Sequence, residues 1–262
     1  VAGFLIAGIL FNMHYQYSYE KDYLSEFTDS GEALEKLETG VDRAVLSTDD
    51  PSVYRYDQMD TNSSENSSMQ MGTNSTAYYF SVASSSIANF FDEMYLNTPW
   101  EQHYNNLDGR TILDRLASVK YFVVKKGKES DLPYGYSRLS GEAEKNGKTY
   151  LAYADEDALP LGYTYDSWIS REDYDKMTVT EKQQALLQGV VLDDSSLPET
   201  ETHFNDREVS YYTSEGKGCR LKNGKVVVTQ ENAQLKLVFE GEENAETYLI
   251  TEGLDYEGLS PR

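Results

Sequence analysis

Three histidines, one cysteine and 45 acidic side chains are the groups from which this chain could assemble a reactive centre. His14, His103 and His203 stand far apart in unrelated contexts. No His-Glu-x-x-His pattern, Cys/His ligand spacing or EF-hand loop accompanies them, so no protein-made metal site is expected. Asp155-Glu156-Asp157 could touch a cation, but reads first as a solvated loop. Gly216-Lys217-Gly218 opens like a dinucleotide loop, but the third glycine is missing and hairpin signals surround it. There is no Gly-x-Ser-x-Gly elbow for a serine nucleophile. Carboxylate pairs of the kind that hydrolyse glycosides could be drawn from 45 acids in many ways, which selects none of them. No residue is therefore assigned a catalytic role, and no cofactor-binding or metal-binding residue is assigned either.

Binding chemistry has firmer candidates. Trp100 and Trp168 carry rings that can stack on a sugar, although core packing is the default reading of a tryptophan. Lys120, Lys125, Lys126 and Lys128 form the one concentrated basic segment, suited to an anionic polymer or simply to a solvated strand end. Lys120 and Lys125 lie within Val119-Lys120-Tyr121-Phe122-Val123-Val124-Lys125, a nearly continuous apolar run that predicts a central strand.

Other elements follow from spacing. Residues 18–46 read as a helix that stops near Gly40, and Asp49-Asp50-Pro51 forces a turn. Val53–Tyr56 and Thr76–Val82 have strand character, Ile87–Leu96 and Thr111–Ser118 are helical, and Thr149–Tyr153 is a strand. Thr178-Val179-Thr180-Glu181 is a capping box opening a helix through Gln188. An acidic linker, Asp193–Glu201, precedes a change to strands and turns. There Asn223-Gly224 marks a hairpin, with strands expected at Val226–Thr229, Gln234–Phe239 and Thr247–Leu254. Fold class is read as α+β: a mixed N-terminal region with short helices and a sheet (residues 13–200), then a β-rich, sandwich-like region (residues 201–262) from which a strand is missing.

Composition excludes several functions. The net charge is −22, from 45 acids against 23 bases, and such a field repels phosphate backbones. Nucleic acid is thereby excluded as a partner, and adhesion to an anionic membrane through basic residues is disfavoured. The lone Cys219 forms no internal disulfide. The sequons at Asn62, Asn66 and Asn74 matter only in a eukaryotic secretory pathway. Val1–Phe11 carries no charge and leads into the tyrosines at 15, 17 and 19. Residues 1–12 read as the outer end of a transmembrane helix, with a buried N-terminal helix as the alternative.

Three stretches resemble the YfhO family of bacterial membrane proteins. They are Asn66–Phe80 with the Phe90–Asn97 helix, then Tyr104–Val124 (YNNLDGRTILDRLASVKYFVV), then Ala158–Asp193. The resemblance implies a multi-span membrane protein with a large domain on the extracytoplasmic face of the cell membrane. It also implies similarity to glycosyltransferases that use a polyprenyl-phosphate-linked sugar donor and act on lipoteichoic or wall teichoic acid in Gram-positive bacteria. The catalytic acid of that class is expected upstream of Val1, so this chain would position the acceptor or pack on the membrane part. A non-enzymatic carbohydrate- or partner-binding module at the cell surface is the alternative.

Overall fold

A computed structural model describes residues 2–17, 32–59, 66–82, 84–96, 102–243 and 245–250. The expected α+β class holds. At its centre is a four-stranded sheet in the order β1 (Arg55–Asp57), β4 (Val119–Lys125), β6 (Lys148–Ala154) and β5 (Arg138–Lys145). β1 runs parallel to β4, while β4, β6 and β5 alternate in direction. Asn146-Gly147 turns β5 into β6, both residues having the positive φ that a tight hairpin demands.

β4 is buried on both faces, as its apolar run predicts. Tyr121 and Val123 point to one side, where Val41 and Ala44 of α3 (Gly40–Leu46) close a core with Tyr56, Ala152 and Ala154. Phe122 and Val124 point to the other, into a larger core with Phe91, Leu113, Tyr136, Ile169 and Tyr174. That side is built by α5 (Ser85–Glu93), α6 (Thr111–Leu116), α7 (Arg171–Asp175) and α8 (Val179–Ala185). Two short sheets flank it: β2 (Tyr78–Tyr79) with β3 (His103–Tyr104), and β7 (Trp168–Ser170) with β8 (Val190–Leu192).

Several expectations need correcting. Gly40 does not stop a helix. α2 (Glu32–Leu37) ends, and Thr39 caps a new helix, α3, through a reciprocal bond with Asp42. Residues 18–31 of the expected helix lie outside the described residues. The β-rich run at 76–82 pairs only at Tyr78–Tyr79. The C-terminal strands form two ribbons, β9 (Tyr211–Lys217) with β12 (Gln234–Phe239) and β10 (Cys219–Lys222) with β11 (Lys225–Val228). Their described side chains are largely exposed, and the pairing stops at two strands in each ribbon. Residues 247–250 are irregular, and 251–254 lie outside the description. Glu246 and Tyr248 instead return to the main body, accepting from the Thr111 backbone N–H at 3.0 Å and from Gln183 Nε2 at 3.0 Å.

The N-terminal run forms α1 (Ala2–Tyr17), whose apolar side chains are exposed. No helix among the described residues is long and apolar enough to cross a membrane.

Candidate functional site

β1 is only three residues long and its pairing with β4 ends at Asp57 opposite Phe122. The chain then turns away through Gln58 and Met59, while β4 continues to Lys125. The gap is a cleft of about 240 Å³. Val41, Met59, Val123 and Val124 line it with apolar side chains, Tyr150 with a ring and Gln58 with an amide. Lys125, Lys128 and Asp131 supply its charges. Lys128 leads into a 3₁₀ turn at Glu129–Asp131, and the Asp131 N–H bonds back to the Lys128 carbonyl at 2.9 Å. Two lysines therefore line one hollow in a strongly acidic chain.

The other basic candidates go elsewhere. Lys120 donates to Asp50 at 2.7 Å and lies over the Tyr54 ring, 4.8 Å from its centroid. The Lys120 ammonium and the Tyr121 hydroxyl together hold the Asp50 carboxyl well below the usual range. Lys126 is exposed on the turn after β4. Trp168 is half-buried in β7, its backbone bonded to Pro198 and Thr200, and does not line the cleft. Trp100 lies outside the described residues.

Next to Gln58 is a grouping that sequence reading missed. Asp57, at the end of β1, and Asp114, on α6, are both fully buried and act on one another's charge. Asp57 accepts from the Gln58 N–H at 2.7 Å, the Thr76 hydroxyl at 2.8 Å and the Leu107 N–H at 2.9 Å. The Tyr136 hydroxyl lies 3.1 Å from Asp114 Oδ2, and Asp114 Oδ1 has no fixed donor. Burial pushes the Asp57 carboxyl up to about 7, and burial with the Asp57 charge raises Asp114 well above the carboxylate range. Arg115, on the same helix, is committed to Asp155 at 2.6 Å and Asp157 at 2.9 Å. The pair does not line the cleft, whose carboxylate is Asp131. Among the described residues no grouping of three or more His, Cys, Asp or Glu side chains could hold a metal ion.

The arrangement suits binding: an apolar lining, an aromatic ring and a few polar groups in one hollow. Comparison with known proteins gives the chain its context. The family model described as "Bacterial membrane protein YfhO" matches residues 3–256. The chain is similar to an uncharacterized protein YfhO of Bacillus subtilis (strain 168), 25% identical over 245 residues. That alignment covers 88% of this chain and 27% of the relative, so the chain spans about a quarter of the relative's length. No solved structure matches. With the family model matching nearly end to end, the chain belongs to the YfhO family of bacterial membrane proteins.

Proposed function

We propose that this chain is the extracytoplasmic, acceptor-positioning part of a membrane glycosyltransferase that moves a sugar from a polyprenyl-phosphate donor to a teichoic-acid-type polymer. The observation that carries this reading is the cleft at the end of β4, which Lys125 and Lys128 line together with apolar side chains and the Tyr150 ring. A polyol or sugar phosphate has the matching chemistry: an anion for the ammonium groups, hydroxyls for Gln58 and Asp131, and an apolar ring face for Tyr150. The net charge of −22 repels a polyanion over most of the surface, so a polymer would be held at this local basic point and in one register. Binding energy gathered remotely from the reacting end can position that end, which is what a transferase working on a long acceptor needs. The bond-forming acid belongs, on this reading, to other parts of the protein, and the roughly three quarters of the relative not aligned with this chain leave room for them.

The test is made in the source strain. The gene is deleted, then complemented with the intact full-length protein or with its Lys125→Glu/Lys128→Glu variant, and the sugar content of the teichoic acids is measured. Loss on deletion, rescue by the intact form and at least a several-fold deficit with the variant are expected. Normal glycosylation in the deletion strain overturns the transferase reading and favours a non-enzymatic surface module. Full rescue by the variant removes the cleft from it.

A further inference from the structure

Away from the cleft, α4 (Ser67–Met71), β2 and the start of α5 frame an apolar hollow of about 360 Å³. Met69, Tyr79, Phe80, Val82 and Ile87 supply its apolar walls, and none of its lining residues is charged. Met69 is 75% exposed, Phe80 59% and Val82 76%. These side chains stand on pinned backbone. Asn66, in the left-handed region at φ 63°, donates to the Tyr79 carbonyl at 2.8 Å and accepts from its N–H at 3.0 Å. The Phe80 N–H bonds to the Gln102 carbonyl at 3.2 Å. The fold thus holds methionine, phenylalanine and valine out into solvent, a standing cost unless something apolar covers them.

We infer that this hollow is where the domain rests on the bilayer, with Met69, Phe80 and Val82 entering the interfacial layer and Tyr79 lying at headgroup level. Three observations select this occupant. The family is one of membrane proteins, so an apolar phase is at hand. α4 touches α2, the element that comes next after the exposed apolar helix α1 in chain order, so the hollow adjoins the same N-terminal stretch of sequence. The net charge of −22 sets copies of the chain against one another and keeps the body off anionic headgroups, leaving an uncharged patch as the means of contact. Aromatic residues at such a boundary bury a ring while keeping a polar tip in water.

The test uses residues 1–262 in phosphatidylcholine vesicles. Cys219→Ser removes the native thiol, and Val82→Cys or, as an exposed control on β11, Lys225→Cys carries an environment-sensitive fluorophore. Quenching by a nitroxide lipid labelled near the headgroup is expected to be several-fold stronger at position 82 than at 225, with matching protection from aqueous iodide. Adding Met69→Ser and Phe80→Ser should cut the lipid quenching at 82 several-fold. Equal iodide access at the two positions overturns the inference. So does quenching that the two serines leave unchanged, since α1 alone would then be holding the chain near lipid. Protection at 82 that grows with protein concentration without vesicles assigns the hollow to a second copy, and overturns it too.

Discussion

Asp57 and Asp114 are both fully buried and interact in the core, although 56 residues separate them in the chain, and burial raises both carboxyls. Asp57 spends its lone pairs on three donors, whereas Asp114 Oδ1 has none, which leaves that oxygen as the place for a proton. Like charges that interact in so dry a place cannot both ionise without cost. The pair ties the end of β1 to α6 and to Leu107 in the loop before it, and so braces the chain where it reaches the cleft at Gln58.

Stability should therefore depend on pH through this pair. Asp57 is raised from 3.8 to about 7, so the folded chain keeps a proton that the unfolded chain has already released. The stabilisation is fully present below about 4 and is lost as pH rises through about 7. A one-unit displacement of a pKa is worth about 1.4 kcal/mol, so a fall in stability between pH 5 and pH 8 is expected that is large enough to measure. Urea denaturation at these two pH values checks it. Asp114→Asn keeps a donor toward Asp57 and removes the second charge, and should cut the pH slope by more than half.

Lys120 should behave differently from the two lysines of the cleft. Its ammonium is tied to Asp50 and covered by Tyr54, so Lys120→Met should cost about 1 kcal/mol of stability. Binding of a glycerol-phosphate oligomer, read by calorimetry, should be unaffected by that change. Lys128→Glu should leave stability within about 0.5 kcal/mol and weaken the oligomer at least several-fold. The opposite pattern would move the basic site from the cleft to the other end of β4.

Gly40 should tolerate no side chain. A Cβ there would lie 2.1 Å from the Tyr150 ring, so Gly40→Ala must displace the ring or α3. Overpacking of this kind costs about 1–3 kcal/mol. Because Tyr150 lines the cleft, the same variant should also weaken ligand binding, checked by comparing its melt and its titration with those of the unaltered chain.

How much of this is legible in the sequence depends on the range of the interaction. β4 runs over Val119–Lys125 as its apolar run predicts, because burial on both faces leaves a local mark. Thr178 caps α8 with Glu181, and Asn223-Gly224 turns β10 into β11, since caps and tight turns are settled within four residues. Asn146-Gly147 carried the same hairpin signal for β5 and β6. Gly40 looks like a helix stop because glycine usually is one; here Tyr150, distant in sequence, is the reason for it. The cleft follows from β1 being shorter than β4, and the Asp57–Asp114 pair from folding around that edge. Neither leaves a local pattern, since the partners meet only through tertiary packing. Alternation in β9 to β12 shows strands but not what they pack against, so it marks the two ribbons without fixing how they are arranged.

Tyr136 offers the sharpest check on the protonation of Asp114. Its hydroxyl lies 3.1 Å from Asp114 Oδ2 and 3.0 Å from the Val119 carbonyl, and it has one hydrogen to give. With Asp114 protonated on Oδ1, the hydroxyl can give its hydrogen to Val119; with Asp114 ionised, it turns to the carboxylate and leaves the carbonyl without it. Donation to the charged form holds Asp114 lower than burial alone would. Tyr136→Phe removes that help, so the pH at which stability is lost should move upward while stability at pH 5 drops by about 1–2 kcal/mol for the lost bond. A drop with no movement of the pH profile would mean that the hydroxyl serves Val119 alone and that Asp114 holds its proton without it.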